Sequence, residues 1–411
     1  MTVPASALID PDLALQRLLA AARPMTETDT LPTAAALARV LAADVRSSID
    51  VPPADNTAMD GYALRSADAQ SAGVLLPVSQ RIPAGAVPQP LQPGTAARIF
   101  TGGLIPPGAD AVVMQEKCTA EGDAVRIHIV PNAGDWVRRR GLDVETGSVV
   151  LTAGQRLRPQ DLGLAASVGV ATLSVRRKPR VAMLFTGDEL AMPGEPLRPG
   201  AIYNSNRFVI QALLQAAGCE VTDFGIVPDR LDATRAVLRS AAQQHDLIVS
   251  TGGMSVGEED HVKPAVQAEG TLDLWQIAMK PGKPLAFGQV RREAGQGEAA
   301  FIGLPGNPVS SFVTFLLFVR PYLLALQGVA QTMPPTLPVR AAFDWPRPDK
   351  RREYLRVRLN AQGEAELFPS QNSAVLTSTV WADGLVDNPP QQTIQRGDML
   401  RYLPFSSLLQ G

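Results

Sequence analysis

Arg180-Val-Ala-Met-Leu-Phe-Thr186-Gly-Asp188-Glu189-Leu190 and Asp246-Leu-Ile-Val-Ser-Thr251-Gly252-Gly253-Met-Ser255-Val-Gly257-Glu-Glu-Asp260 each pass from a short, uninterrupted apolar run into glycine and acid. Such runs, bounded by turn residues, read as buried strands. Between and after them the period changes to that of helices, at Phe208 to Ala217 and Asp232 to Gln244. Further strands are expected at Glu220 to Val227, near Leu272 to Ala278, at Pro284 to Phe287 and at Ala300-Phe-Ile-Gly303, before a helix beginning at Asn307-Pro308. Strands alternating with helices predict a three-layer α/β/α domain around a mostly parallel sheet.

Outward from this centre the texture differs. Gly328 to Pro338, with Pro334 and Pro335, reads as a linker, and the alternation of Tyr354, Leu355, Val357 and Leu359 with charges as a small C-terminal β domain. Upstream, Asp10 and Pro11 open a helix whose face is Leu15, Leu18, Leu19 and Ala22, ending at Pro24. Thr33 to Ala43, rich in Ala and Leu, reads as a second helix. From Asp44 to about Val150, short alternating runs broken by Pro and Gly read as a β-rich module. A short helix, Pro159 to Val168, returns to the style of the first. The expectation is therefore a multidomain α/β protein. Residues 1–28 and 149–179 would form a discontinuous helical and extended N-terminal domain, 29–148 an inserted β-rich domain, 180–328 the central domain, and 329–411 the C-terminal β domain.

Composition narrows the function classes. Among 411 residues, Lys and Arg number 38 and Asp and Glu 40, a net charge of −2. That excludes the broad basic field of a general nucleic-acid binder. Apolar residues make up 45%, enough for sizeable cores. Cys118 and Cys219 give neither a metal spacing nor a disulfide framework. The longest apolar run, Phe312 to Val319, is expected to stop at Arg320-Pro321, short of a membrane span. Asp10 and Asp12 stand where a signal peptide would be basic and then apolar, so a soluble, cytoplasmic protein is expected.

In an open parallel sheet, ligands bind beyond the carboxyl ends of the strands. There the sequence puts four acids, Asp188, Glu189, Asp229 and Asp260. Hard oxygen donors suit Mg2+, which takes one or two carboxylates and completes its shell with waters and phosphates. The alternative for Asp229 and Asp260 is helix capping. Thr251-Gly252-Gly253 lets backbone N–H groups approach an anion. Gly303-Leu-Pro305-Gly306-Asn307-Pro308-Val-Ser310-Ser311 offers a helix N-terminus, a second place for phosphate-like groups. Met279-Lys280-Pro-Gly-Lys283-Pro284 adds two point charges for oxyanions; alone it would read as a solvated turn. The combination describes a site for a phosphorylated ligand with Mg2+, with room for a second oxyanion.

The β-rich module carries Asn56-Thr-Ala-Met-Asp60-Gly-Tyr-Ala63 and Arg138-Arg-Arg-Gly141-Leu-Asp143. The arginine run alone would read as a solvated face or a nucleic-acid patch, and with 5% aromatics the latter is disfavoured. The three histidines, His128, His245 and His261, are scattered, and no nucleophilic triad or zinc spacing is present.

Seven motifs in order resemble the molybdopterin molybdenumtransferases of the MoeA type, related to the E domain of gephyrin. They are Ala58-Met-Asp60-Gly-Tyr-Ala63, Phe100-Thr101-Gly102-Gly103, Arg139-Arg-Gly-Leu-Asp143, Thr186-Gly-Asp-Glu-Leu190, Thr251-Gly-Gly-Met-Ser-Val-Gly257 with Asp260, Lys280-Pro-Gly-Lys-Pro284, and Gly303-Leu-Pro-Gly-Asn-Pro-Val309. The resemblance spans nearly the whole chain. It implies a four-domain homodimer that converts adenylyl-molybdopterin and molybdate into molybdenum cofactor and AMP, with Mg2+ required. By that likeness Thr251, Gly252, Gly253 and Ser255 cradle the ligand's phosphates. Glu189, Asp229 and Asp260 hold the Mg2+–nucleotide end. Lys280 and Lys283 receive molybdate and the leaving phosphate, beside the loop of Pro305, Gly306, Asn307, Pro308 and Ser310. Asp60, Thr101 and Asp143 come from the β module of the other subunit; Gly102 and Arg138 also bind the ligand, as does Ser373 of the C-terminal domain. Other proteins of cofactor assembly are implied as partners; nucleic acid and membrane are not.

The chain departs from the pattern at Gln371-Asn372-Ser373, where Gln-Gly-Ser is usual; at Leu142, where Glu is common; and at Met254, where Val is. Asn tolerates the left-handed backbone that Gly permits. Two rivals remain. An adenylyltransferase acting on molybdopterin would not need the β module or the C-terminal domain. A scaffold that clusters partners would be marked by loss of the rim acids or lysines, and none is missing.

Overall fold

The computed structural model describes residues 8–253, 261–295 and 297–410. Ser255 and Asp260 therefore lie outside the described residues. The chain gathers into two compact units. One holds the described residues up to Asp29, Ala38–Val40 and those from Arg176 on; the other holds Thr30–Leu37 and Leu41–Val175.

The first unit is built on a six-stranded sheet of β1 (Arg180–Thr186), β2 (Glu220–Val227), β3 (Leu247–Thr251), β4 (Gly270–Gln276), β5 (Pro284–Arg291) and β6 (Glu298–Leu304), in the order β2-β1-β3-β6-β5-β4. β2, β1, β3 and β6 are parallel; β5 runs antiparallel to β6, and β4 antiparallel to β5. Side chains alternate between two cores. Val181, Met183 and Phe185 of β1 face α1 (Ser205–Ala216) and the helix that follows β6. Ala182 and Leu184 face α2 (Leu231–Gln244) and α3 (Val262–Glu269). Burial on both sides explains why the strand sequences show no polar alternation.

α4 (Pro308–Thr314) continues through a wide turn at Phe315–Val319 into Arg320–Leu326. The expected stop at Arg320-Pro321 is overturned. The π-type turn precedes the proline, whose ring and missing N–H would break a regular α-helix, and Arg320 is buried with its guanidinium on Thr332 O at 2.9 Å. The 19-residue run has a mean hydropathy of 1.8, long and apolar enough for a membrane span, but 94% of it is buried inside the protein's own core.

The first helix, Pro11–Ala21, is capped as expected, with the Asp10 carboxylate accepting from the N–H groups of Asp12 and Leu13. Its Ala14 and Leu18 join the core on the α1 side of the sheet. The C-terminal residues form a second sheet, in the order Met279–Lys280, Arg352–Leu359, Gly384–Asn388, Met399–Pro404, Leu337–Arg340, around Leu355, Val357, Val386 and Tyr402.

The second unit is β-rich. Its main sheet orders Ala111–Met114, Gly61–Leu64, Ala96–Ile99, Val74–Ile82, Ala124–Ile127 and Cys118–Glu121. Pro159–Ser167 packs here, with Ala165 beside Leu157 and Val175. The helix expected over Thr33 to Ala43 is overturned: only Thr33–Ala35 makes a short 3-10 turn. Ala38 adopts φ +62°, and Leu41 bridges Val175 in antiparallel pairing. Burial of Leu41 in a sheet-like pairing overrides the helical propensity of an Ala/Leu segment.

Candidate functional site

Thr186, Thr251 and Leu304 end three neighbouring parallel strands nearly level, Phe185 pairing with Thr251 and Thr251 with Leu304. Their loops therefore emerge side by side into a cleft of about 1200 Å³. Gly252 and Gly253 are left-handed, with φ +88° and +64°. A Cβ on Gly252 would lie 2.4 Å from Thr186 O, and one on Gly253 2.4 Å from Val262 Cγ2. The glycines thus let the loop after β3 lie flat against its neighbours, leaving backbone rather than side chain at the rim. Pro305, Gly306, Asn307, Pro308 and Ser310 line the same cleft at the start of α4, Ser310 mostly buried.

The start of α1 forms another wall. The Asn204 side-chain Oδ1 accepts from Arg207 N–H at 3.1 Å, and Asn206 Nδ2 donates to Gly306 O at 2.7 Å. The opposite groups of both amides, and the Thr186 hydroxyl, are buried without partners among the described residues. Buried orphans are uncommon and concentrate where a ligand or ordered water completes the set.

The third wall comes from the C-terminal sheet. Met279–Lys280 pairs with Arg352 and Glu353. Lys280 Nζ stands 3.7 Å from both Asp349 Oδ2 and Glu353 Oε1. Arg351 grips Asp349 through two hydrogen bonds, 3.0 and 2.9 Å, and that guanidinium holds the Asp349 carboxyl far below the usual range. Lys283 is exposed, and Gln371, Asn372 and Ser373 complete the wall. Asn372 needs no left-handed backbone: its carboxamide oxygen accepts from Ala374 N–H at 2.9 Å and makes the turn that way. Ser373 O accepts from Val309 N–H, tying the loop to α4.

The structure thus brings together Glu189, Thr251, Gly252, Gly253, Lys280, Lys283, Pro305, Gly306, Asn307, Pro308, Ser310 and Ser373. Asp229 follows β2 on the same rim, outside the described lining. The sequence reading missed Arg351, Asn204 and Asn206. For the asparagines a signal existed, since Asn204-Ser-Asn206 is a helix-capping sequence, but the helix was expected to start at Phe208. Nothing local marked Arg351.

The remaining expected residues lie in the β-rich unit. The Asp60 carboxylate accepts from both N–H and Oγ1 of Thr101, each at 2.7 Å, and the Thr101 N–H is the main reason its pKa is lowered. Gly102, at φ +80°, donates to Thr57 O, and Arg138 pairs with Asn56 on the adjoining short strand. Asp143 is exposed at a turn, its N–H on Val51 O.

Glu189 is the one carboxylate of the expected metal set that the described cleft contains. Among the described residues no group of three or more His, Cys, Asp or Glu gathers to hold a metal. A lone carboxylate beside a phosphate-sized cradle still fits Mg2+, whose remaining positions go to water and phosphate oxygens.

Fold and cleft together define a multidomain α/β protein with its ligand cleft on the carboxyl rim of a parallel sheet. Family models match along the chain: the MoeA N-terminal region (domains I and II) over residues 9–169, a probable molybdopterin-binding domain over 182–325, and the MoeA C-terminal region (domain IV) over 338–405. A molybdopterin molybdenumtransferase of Haemophilus influenzae is 37% identical over 391 residues, covering 93% of this chain and 95% of its own. Molybdopterin molybdenumtransferase 2 of Mycobacterium tuberculosis is 37% identical over 384 residues, covering 90% and 92%. The crystal structure of a molybdopterin biosynthesis moeA protein from Pyrococcus horikoshii OT3 superposes with a TM-score of 0.84 at 29% identity, covering 96% of this chain and 99% of that one. The chain belongs to the molybdopterin molybdenumtransferase family and is a transferase.

Proposed function

We propose that this enzyme acts in molybdenum cofactor biosynthesis, converting adenylyl-molybdopterin and molybdate into molybdenum cofactor and AMP with Mg2+. One observation carries the reading: backbone cradles from adjacent parallel strands and three cations, Lys280, Lys283 and Arg351, line a single cleft. Two anions must meet there, and cations offset their repulsion. The N–H groups of Gly252, Gly253 and the start of α4 bind and orient the ligand's phosphates; Ser255 and Asp260 are proposed to join them. Lys280, Lys283 and Arg351, with Ser373, hold molybdate. Glu189, with Asp229 and Asp260, orients the metal-bearing end. Mg2+ there would neutralise charge as the adenylyl group leaves. The dithiolene sulfurs of the ligand bind molybdenum, in keeping with a chain of only two cysteines. Asp60, Thr101, Gly102, Arg138 and Asp143 are proposed to reach the cleft of the partner protomer in a homodimer.

The test is AMP release from adenylyl-molybdopterin with Mg2+, with and without molybdate. Wild-type protein releases AMP only when molybdate is present, and Lys283→Ala lowers that rate by about 100- to 1,000-fold, the scale of removing one electrostatic stabiliser. Ligand binding with no AMP release under any condition would overturn the reading in favour of a scaffold.

A further inference from the structure

At the amino ends of β1, β3 and β6, the opposite end of these strands from the cleft, lies a second cavity of about 690 Å³. Arg177 and Asp246, which precede β1 and β3, line it together with Arg291 and Glu298, paired across β5 and β6. The chain after the first helix, from Arg23 to Glu27, forms another side, with Met25 N–H donating to Leu326 O at 2.8 Å. The charges in this lining do not pair off. Arg177 alone takes two carboxylates, Asp246 at 2.7 and 2.8 Å and Glu27 at 2.8 Å. Among the described residues Arg23, Arg291 and Arg292 have no carboxylate at ion-pair distance, and Glu298 has no cation. Even with Glu298 set against one of them, two guanidiniums lack a counter-charge.

Two of the lining groups are held rigidly and left with an unused donor. Arg292 donates from Nε to Ala242 O at 2.8 Å and from Nη2 to His245 O at 2.9 Å, which leaves Nη1 without a partner among the described residues. Tyr322 is 3% exposed, its ring edge-on to Phe287 at 5.9 Å. It lines the cavity, and among the described residues nothing hydrogen-bonds its hydroxyl. Burial, reinforced by the charge of Asp246 and opposed by that of Arg23, pushes the phenol up to about 12, so it remains a donor at neutral pH. A buried hydroxyl with no protein partner points to a ligand or an ordered water.

We propose that this cavity is a second binding site, separate from the cleft, for a small phosphate monoester. Arg23 and Arg292 take the phosphate, the Tyr322 hydroxyl donates to one of its oxygens, and Met25 and Leu326 cover the organic part. Guanidinium forks match phosphate oxygens in geometry and charge. A monoester is a dianion above its second pKa near about 6, which answers two unpaired cations. The cavity has room for more than a bare ion and falls within the roughly 300–1,000 Å³ of small-molecule sites.

The experiment is calorimetric titration of the full-length protein, near about pH 8, with phenyl phosphate, phenyl sulfate and inorganic phosphate. Phenyl phosphate should bind saturably at or below about 1 mM. Phenyl sulfate has the same shape but one charge fewer, and inorganic phosphate lacks the ring; each should bind about tenfold more weakly. Arg23→Gln and Tyr322→Phe should each weaken phenyl phosphate about tenfold, the scale of a hydrogen bond to a charged group. Arg23 is exposed and Tyr322→Phe removes one oxygen, so both variants should fold. Phenyl phosphate also fits the cations of the cleft, so Lys283→Ala is the control and should leave the affinity unchanged. Binding that Lys283→Ala weakens, and that Arg23→Gln and Tyr322→Phe do not, puts the probe in the cleft and overturns the inference. Absence of saturable binding overturns it as well. Equal affinity for phenyl sulfate overturns the choice of a dianion, and equal affinity for inorganic phosphate overturns the choice of a monoester.

Discussion

A methyl group on Gly252 has nowhere to go: the backbone is left-handed and Thr186 O is 2.4 Å from the position of the new atom. Gly252→Ala should destabilise the α/β unit by more than the roughly 1–2 kcal/mol of a left-handed alanine, seen as a lower urea midpoint with an unchanged slope. Gly306, on the neighbouring loop, is the opposite case. Its φ is ordinary, and an added Cβ would find its nearest atom 3.9 Å away, at Gly252 Cα. Gly306→Ala should stay within about 0.5 kcal/mol of wild type, yet weaken binding of the phosphorylated ligand because the methyl occupies cleft space. A large loss of stability in Gly306→Ala would show that its loop is strained in a way the geometry does not reveal.

At the scale of elements, Asp246 joins the opposite ends of the strands. Its carboxylate accepts from two nitrogens of Arg177 at 2.7 and 2.8 Å and from Arg180 N–H at 2.8 Å, knitting the entry to β1 to the entry to β3. Burial alone would raise its pKa, but the Arg177 fork and the Arg180 N–H outweigh burial and hold it below the ordinary value. A lowered folded pKa gives stability that is present above the unfolded value of about 3.9 and lost as pH falls through the folded one. Asp246→Asn should therefore cost about 3 kcal/mol at pH 7, and its gap from wild type should narrow below pH 4 in urea unfolding. A gap independent of pH would mean the carboxylate's charge is not the source. Elements such as β1 and β3 were legible because burial on both faces leaves an uninterrupted apolar run, and the rim loops followed from where those strands end. Arg351 was not, because it faces the cleft only through pairing of Met279–Lys280 with Arg352 and Glu353, more than 70 residues later. Thr33 to Ala43 failed for the same reason: the pairing of Leu41 with Val175 is not written in the local sequence.

For the whole molecule, the order of modules was readable because each has its own residue period and turn content, whereas the proposed pairing of protomers would depend on surfaces that local pattern does not encode. Asp60 and Thr101 form an ordered acid–hydroxyl pair in the β-rich unit, and Lys283 lies in the cleft of the α/β unit. If the β-rich unit of one protomer completes the cleft of its partner, Asp60→Ala and Lys283→Ala damage the same site from different chains. Each variant alone should keep about a hundredth or less of wild-type molybdate-dependent AMP release. After denaturation and co-refolding at equal amounts, random pairing in a twofold dimer makes about half the dimers mixed, and in each of these one site carries both lesions and the other neither. Activity should return to about a quarter of wild type. No recovery, with mixed dimers demonstrated by differential tagging, would place both residues in the site of a single chain.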